Sequence, residues 1–191
     1  TFWDRVLAKS VSALASGALQ PIETRSVTLV DGDVRFLARV AANLVRKQIV
    51  AKKRGPGFNP FLEPEDDLLI GDISETHYAL LNKFNVSDNH VLIVTRAFEE
   101  QESLLSQADF EALWIGLRAV DGFAFYNAGR ASGASQRHKH LQLVAAPLGD
   151  GRRRAPLLDA GGMGAAAWPR AKQVVSCRAG PDASDFAGGG A

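Results

Sequence analysis

Two histidines separated by one residue are the side chains best suited to chemistry in this 191-residue chain. Gln142 follows at the same interval, so the pattern is His138, His140, Gln142. Side chains two residues apart in a β-strand lie on one face of the sheet, and Leu141 and Leu143 would then point into the core. Three hydrogen-bonding groups on one face of a half-buried strand favour a bound ligand.

The segment before this strand is built of small residues, Gly133-Ala134-Ser135-Gln136. Because such residues let backbone N–H groups come close to an anion, the segment could hold a phosphate, with further donors from Ser132, Ser135 and Gln136. A neutral imidazole nitrogen can attack phosphorus and give a nucleotidyl-histidine, which a second nucleophile then resolves. The combination predicts phosphoryl-transfer chemistry.

Other interpretations of the histidine pair are a metal site and an ordinary surface or core position. No other His, Cys or acidic residue lies near His138 and His140 at metal-ligand spacing, so no metal site is expected there. His77 and His90 flank predicted strands and are expected to be structural.

Apolar spacing predicts two helices. The first is indicated by five residues and ends near Gly17 and Pro21: Phe2, Val6, Leu7, Val11 and Leu14. The second is predicted to begin with Asp109 as its N-cap. Its core-facing residues are expected to be Phe110, Leu113, Trp114 and Leu117.

Strands are predicted where β-favouring residues cluster. Asp31-Gly32 between two such runs predicts a hairpin. Further strands are predicted over residues 77–84, 90–95, 123–126 and 138–144. The run Val91-Leu92-Ile93-Val94 is continuously apolar, which is typical of a strand buried on both faces.

The composition is that of a soluble globular protein, with 46% hydrophobic and 23% charged residues. A net charge of +1 gives no global field that would favour nucleic acid or an acidic membrane. A single cysteine excludes an internal disulfide, and no apolar run reaches the ~20 residues of a membrane helix. The first residues do not resemble a signal peptide. We therefore expect a cytoplasmic protein.

The chain is expected to divide near residue 148. Residues 1–148 would form one domain that contains the histidine pair. Residues 149–191 would form an atypical and poorly ordered tail, because 19 of these 43 residues are Gly or Ala and apolar periodicity is lost.

Several ordered motifs resemble one known family. The run from Gly133 to Gln142 is similar to the His-x-His-x-Gln signature of the diadenosine tetraphosphate phosphorylases (ATP adenylyltransferases), which belong to the histidine-triad superfamily. The resemblance continues upstream in Asn59-Pro60-Phe61 and in residues 81–86, 90–96 and 109–114. It covers roughly residues 21–148. Arg137 departs from the family, where Pro is expected.

The resemblance implies a role for each matching residue. His140 would be the nucleophile, His138 would support the strand and the phosphate site, and Gln142 would hold a phosphate oxygen. The remaining residues would bind the nucleotide. Asn127, Gly133, Ser135 and Gln136 would cradle phosphate, Asn82 and Lys83 would contact ribose, and Lys53 (or Lys47 or Lys52) would reach the polyphosphate.

The resemblance also implies a fold and an activity. The fold would be α+β, a histidine-triad antiparallel sheet with packed helices, and incomplete because the family continues well beyond the motif. The activity would be reversible phosphorolysis of diadenosine tetraphosphate to ATP and ADP, with Mg²⁺ accompanying the polyphosphate. The partners would be nucleotides and phosphate, without nucleic acid or membrane. The alternatives are a hydrolase that uses water and an inactive remnant that binds nucleotides.

Overall fold

A computed structural model describes residues 1–32, 34–41, 58–146 and 172–175. Its elements are helices α1 (Phe2–Ser16) and α2 (Gln107–Ala119), a short 3-10 helix (Arg130–Ser132), and strands β1 (Thr24–Asp31), β2 (Val34–Ala41), β3 (Leu69–Asp72), β4 (His77–Leu81), β5 (Val91–Thr95), β6 (Gly122–Asn127), β7 (His140–Ala145) and β8 (Lys172–Val175). Lys47, Lys52 and Lys53 lie outside the described residues, as does the predicted tail apart from β8.

Six of the described strands form one antiparallel sheet, in the order β3-β4-β5-β7-β6-β8. The strand that begins at His140 therefore has neighbours on both sides. Strands β1 and β2 form a separate hairpin, as predicted, in which Asp31 pairs with Val34. Gly32 in its turn has φ +58°, a conformation that favours glycine.

The two faces of the sheet are different. One face packs against α1 and α2 in the larger core, which contains Val91, Ile93, Leu141 and Leu143. The other face carries a smaller apolar cluster of Phe61, Tyr78, Leu80, Leu92 and Val94. His140 pairs with Val94 and Gln142 pairs with Leu92, so both lie on this second face. The predicted alternation of the strand is confirmed.

All four strands predicted within this sheet have different limits. The strand predicted over residues 123–126 is one residue longer at each end, Gly122–Asn127. The strand predicted over residues 77–84 ends at Leu81, and the one predicted over 90–95 begins at Val91. The strand predicted over 138–144 is His140–Ala145. His138 instead forms an isolated antiparallel bridge with Glu100, because residues 99–101 and not β6 lie beside this part of the chain.

Helix α2 begins earlier than predicted. Its N-cap is Ser106, and Asp109 is the third helical residue, which completes a capping box with Ser106. Phe110 and Trp114, predicted as core residues, are 43% and 40% exposed. The face that meets the sheet uses small residues, since a Cβ on Gly116 would lie 2.9 Å from the Leu143 side chain. That close approach leaves the two aromatic rings at the edge of the interface.

Helix α1 forms as predicted, but it buries another face. A capping box of Thr1 and Asp4 starts the helix, and Gly17 ends it with φ +76°. Its buried residues are Val6, Ser10 and Ala13, whereas three residues of the predicted apolar pattern are exposed: Leu7, Val11 and Leu14. Within the described residues, neither helix is long and apolar enough to cross a membrane.

A buried ionic network lies under β7 on the helix side. The Lys139 side chain, between the two histidines in sequence, is 1% exposed. Its Nζ lies 2.6 Å from Asp109 Oδ2 and 3.0 Å from Glu99 Oε2, and His77 Nε2 lies 3.0 Å from Asp109 Oδ1. Burial alone would raise the pKa of Asp109, but hydrogen bonds from His77, Lys139 and Ser106 hold it well below its usual range. The predicted structural role of His77 fits these contacts.

Replacing Lys139 by Met tests this network. The variant leaves the buried Asp109 carboxylate without its nearest cation, and removing one partner of a buried pair costs about 3–5 kcal/mol. We expect a loss of that size in the free energy of unfolding, measured by urea denaturation at pH 7. Lys9→Met is the matched control, because Lys9 Nζ donates to the Asp66 carbonyl oxygen at the surface. It should change the free energy by about 0.5 kcal/mol or less; equal losses in both variants would contradict the proposed role of the network.

Candidate active site

His140 is 5% exposed at the start of β7. Its Nδ1 lies 2.8 Å from the carbonyl oxygen of His138. A carbonyl oxygen only accepts hydrogen bonds, so Nδ1 carries the proton and Nε2 of the neutral ring keeps its lone pair. Burial lowers the pKa of His140, the bond to the His138 carbonyl opposes this, and the His138 ring lowers it further. The neutral ring is therefore the form present near pH 7.

His138 is held by hydrogen bonds at both ring nitrogens. Its Nε2 donates to the carbonyl oxygen of Thr95 (2.8 Å) and lies 3.1 Å from Thr95 Oγ1. Its Nδ1 then accepts from Asn59 Nδ2 at 3.0 Å. Burial lowers the pKa of His138, although the Thr95 carbonyl opposes this. With both nitrogens occupied, His138 has no lone pair left for attack, which fits its predicted supporting role.

Residues 59–61 cover the two histidines. The Phe61 ring centroid lies 5.8 Å from that of His138 and 5.1 Å from that of His140. The Phe61 N–H donates to Asn59 Oδ1, and the Tyr78 hydroxyl donates to the Phe61 carbonyl oxygen. Burial raises the pKa of Tyr78 to about 12, so this donor stays protonated. The Asn-Pro-Phe motif therefore orients one histidine and packs on both.

A line of polar groups continues from His140 across the same face. Gln142 is half-buried on β7, and His90 is buried just before β5. Asn82 pairs with His90 through its backbone N–H (2.8 Å) and its side chain (Nδ2 to Nδ1, 3.4 Å). Burial lowers the pKa of His90 to about 4. A hydrogen bond with Gln142 raises this pKa, and the nearby His140 ring lowers it further. Asn82 and Gln142 thus lie on either side of His90.

Lys83 is turned away from this line. Its Nζ binds both carboxylate oxygens of Glu65, at 2.9 and 2.7 Å. The predicted contact of Lys83 with ribose would require this ion pair to open. Lys53, predicted to reach the polyphosphate, lies outside the described residues.

The loop between β6 and β7 is shaped by two glycines with positive φ, Gly129 (+81°) and Gly133 (+93°). Hydrogen bonds inside the loop use the N–H groups of Ser132, Gly133 and Ala134. The Ser132 hydroxyl, expected to be a ligand donor, is buried and donates to the Ala128 carbonyl oxygen instead, so that expectation is wrong.

The free donors of this loop lie nearer to β7. In the described part of the chain, the N–H groups of Ser135 and Gln136 make no backbone hydrogen bond. Asn127, at the end of β6, offers a half-buried side chain at the other end of the loop. Arg137, the residue that departs from the family pattern, pairs with Glu100 at 2.5 Å near the surface. These positions leave the predicted phosphate-binding residues Ser135 and Gln136 available for an anion.

Sequence reasoning missed Gln101. Its side chain is 2% exposed and bonds to the backbone of both His140 and Asn127. A polar residue in a connection without periodicity carries no signal that distinguishes it from exposed neighbours such as Glu102. Lys139 was also missed, although its position two residues before Leu141 predicts that it lies on the core-facing side of the strand.

An antiparallel sheet that presents His140 and Gln142 from one strand, with His138 just before that strand, places the chain among the histidine-triad-like folds. Comparison with known proteins identifies the family. The family model for the Ap4A phosphorylase N-terminal domain matches residues 1–160, and the chain belongs to this family. Protein APA1 and diadenosine tetraphosphate phosphorylase 2, both from Saccharomyces cerevisiae, are 31% and 30% identical over 156 residues. Each match covers 73% of this chain, and 47% and 48% of those relatives, respectively.

Crystal structures of yeast Ap4A phosphorylase Apa2 have a similar fold. The complex with Ap4A has a TM-score of 0.65 and 28% identity, covering 77% of this chain and 52% of that one. The complex with AMP has a TM-score of 0.62 and 28% identity, covering 76% of this chain and 50% of that one. The chain therefore spans about half the length of the relatives that it matches. The family resemblance and the α+β histidine-triad fold expected from the sequence are confirmed.

The lowered histidine pKa values predict how stability depends on pH. Histidine in an unfolded chain has a pKa of about 6.5. In the folded protein, the pKa values of His90, His138 and His140 are lower. Unfolding therefore takes up protons between pH 6.5 and about 4. The free energy of unfolding should be greatest above pH 6.5 and fall as the pH falls through this window.

His90→Asn isolates one of these protons. Urea denaturation between about pH 4.5 and 7.5 gives the free energy of unfolding at each pH. Its slope against pH should be smaller in the variant, by up to about 1.4 kcal/mol per pH unit. The wild-type protein measured in parallel is the reference. The same slope in both proteins would mean that His90 titrates normally in the folded state.

Proposed function

We propose that this chain carries the adenylyl-transfer half of a diadenosine tetraphosphate phosphorylase and that His140 is its nucleophile. The observation that supports this most strongly is the hydrogen bond from His140 Nδ1 to the His138 carbonyl oxygen, because it leaves Nε2 unprotonated with its lone pair free to attack. Membership of the family and the similarity to an Apa2 structure solved with Ap4A support the choice of substrate.

In the first step, Nε2 of His140 attacks the α-phosphorus of diadenosine tetraphosphate. A P–N bond forms, the bridging P–O bond breaks, and the electron pair leaves with ATP. The ring becomes cationic, because Nδ1 keeps its proton. The His138 carbonyl oxygen accepts that proton's hydrogen bond and so stabilises the developing charge without a proton transfer.

In the second step, an oxygen of inorganic phosphate attacks the same phosphorus from the opposite side. The P–N bond breaks, its electron pair returns to Nε2, and ADP leaves. Gln142 lies two residues from the nucleophile on the same face, so its amide can donate to a phosphate oxygen. A neutral amide cannot remove a proton from water, which favours phosphate, already an anion, as the acceptor.

Mg²⁺ is proposed to arrive with the polyphosphate. In the described part of the chain, no group of three or more His, Cys, Asp or Glu side chains could hold a metal ion. The described residues therefore fit a Mg²⁺ ion that is held by the phosphate oxygens of the substrate. The ion would neutralise part of the polyphosphate charge. The residues described here would bind, orient and attack the nucleotide.

Incubation with substrate labelled at the α-phosphates tests the proposal. We expect acid-labile label on the protein, on the peptide that contains His140 when mapped by mass spectrometry. His140→Gln should lose the label, because an amide cannot attack phosphorus. Gln107→Met, which changes an exposed glutamine of α2 that bonds to Glu111, is the control and should retain the label. Equal labelling of wild-type and His140→Gln proteins would refute the assignment of the nucleophile.

Product analysis separates the alternative activities. Release of ATP and ADP only when phosphate is present indicates phosphorolysis, whereas ATP and AMP without phosphate indicate hydrolysis. Thermal stabilisation by AMP without any label on the wild-type protein would instead indicate a chain that binds nucleotides without transferring them.

A further inference from the structure

The segment 99–101 takes the place of a strand beside the histidine pair. The Gln101 N–H donates to the Arg137 carbonyl oxygen (2.7 Å), and the Lys139 N–H donates to the Glu99 carbonyl oxygen (2.8 Å). Strand β6 pairs with β7 from Phe125–Gln142 toward Gly122–Ala145. On this side of the chain, the pairing with residues 99–101 ends at Lys139 and the pairing with β6 begins at Gln142. The backbone of His140 therefore lies in the gap between these two partners.

The Gln101 side chain fills that gap. Its Oε1 accepts from the His140 N–H at 2.8 Å. Its Nε2 donates to the His140 carbonyl oxygen at 3.0 Å and to the Asn127 carbonyl oxygen at 2.9 Å. One planar amide thus satisfies both backbone groups of His140 and joins them to the last residue of β6.

The position of Gln101 is itself fixed. Its side chain is buried, and its carbonyl oxygen accepts a hydrogen bond from the Tyr126 hydroxyl, which also donates to the Ser103 carbonyl oxygen at 2.9 Å. Tyr126 belongs to β6, one residue before Asn127. Gln101 is therefore tied to β6 through both its backbone and its side chain.

From this geometry we infer that Gln101 is a positioning residue for the nucleophile. It holds the backbone of His140 in the one orientation in which Nδ1 reaches the His138 carbonyl oxygen and Nε2 faces the substrate side of the sheet. It also sets the separation between the nucleophile and Asn127, a predicted phosphate-loop residue. The expected effect on the rate of adenylyl transfer rests on the proposed function. The expected effect on the tautomer of the His140 ring does not.

The chemistry of the amide makes the role specific. Gln101 uses one acceptor and two donors, and no other side chain of that shape offers this set. In Gln101→Glu, an ionised carboxylate would face two carbonyl oxygens. In Gln101→Met, the shape is nearly kept but all three bonds are lost. A displacement of the nucleophile by about 1 Å can lower a rate about 100-fold.

The test measures ring state, rate and binding in the same proteins. In free wild-type protein, ¹⁵N NMR of the His140 ring should show Nδ1 protonated and Nε2 unprotonated. Gln101→Met and Gln101→Glu should mix the two tautomers. They should also slow single-turnover adenylyl transfer by roughly 10- to 100-fold, while AMP affinity changes by less than about threefold. In Gln101→Glu, the rate relative to wild type should rise as the pH falls, because a protonated carboxyl group regains one donor.

Two controls separate positioning from general destabilisation. Gln107→Met makes the same change at an exposed glutamine whose side chain donates to Glu111, and it should leave the His140 ring signals and the rate unchanged. Leu68→Ala removes a buried side chain near β3, at the far edge of the sheet. It should lower the melting temperature but not the rate per folded molecule.

Each outcome bears on a different claim. A wild-type protein that takes up no label refutes the proposed function, while the ring state still decides the role of Gln101. Unchanged His140 ring signals and rate in both variants overturn the inference. If neither variant folds, hydrogen exchange in the wild-type protein decides. The Gln101 side-chain NH₂ should exchange much more slowly than that of Gln107, and equal rates would overturn the inference.

Discussion

The hydrogen bond from His140 Nδ1 to the carbonyl oxygen of the residue two positions earlier is the interaction on which the site depends. It decides which ring nitrogen is protonated and so which nitrogen can act as a nucleophile. A backbone acceptor cannot titrate, and therefore Nδ1 keeps the proton for as long as the ring is neutral. Burial supports it by keeping the ring neutral. The neighbouring contacts of His138 and Phe61 serve to keep this donor and acceptor aligned.

The strand β7 serves two layers at once because its side chains alternate. One face carries His140 and Gln142, and the other carries Leu141 and Leu143 in the larger core. Lys139 extends this inner face into a charged network with Asp109 and Glu99. Helix α2 supplies Asp109, and the close approach of Gly116 to Leu143 holds that helix against the strand. The position of the His140 ring is thus determined partly by packing on the opposite side of the sheet.

Local patterns were sufficient to predict most of the fold. Alternation revealed the face of β7, Asp31-Gly32 revealed the hairpin, and continuous apolar residues revealed β5. Features set by tertiary contact were missed. Phe110 and Trp114 have helical spacing but lie at the edge of the interface, because Gly116 allows the helix to approach the sheet closely. The start of β7 was misplaced by two residues, since the partner of His138 is a connecting segment distant in sequence.

The site shows the same division. His140 and Gln142 could be located from spacing, whereas the groups that hold them come from distant parts of the chain: Asn59, Thr95 and Gln101. Nothing in the local sequence distinguishes Gln101 from the polar residues around it. Only the pairing of strands reveals that the backbone N–H and carbonyl groups of His140 have no strand partner on that side, so that a buried amide is needed there.

The inward direction of Lys139 has a consequence for molecular recognition. The one cation between the two histidines is neutralised by Asp109 and Glu99 beneath the sheet, so it contributes no attraction to a ligand on the other face. The central part of the motif must therefore discriminate by the direction of neutral dipoles, namely an imidazole and an amide. Dipolar contacts of this kind are short-ranged and are screened little by dissolved ions. In the proposed reaction, recognition at the phosphorus would therefore depend little on the ionic strength of the surrounding solution.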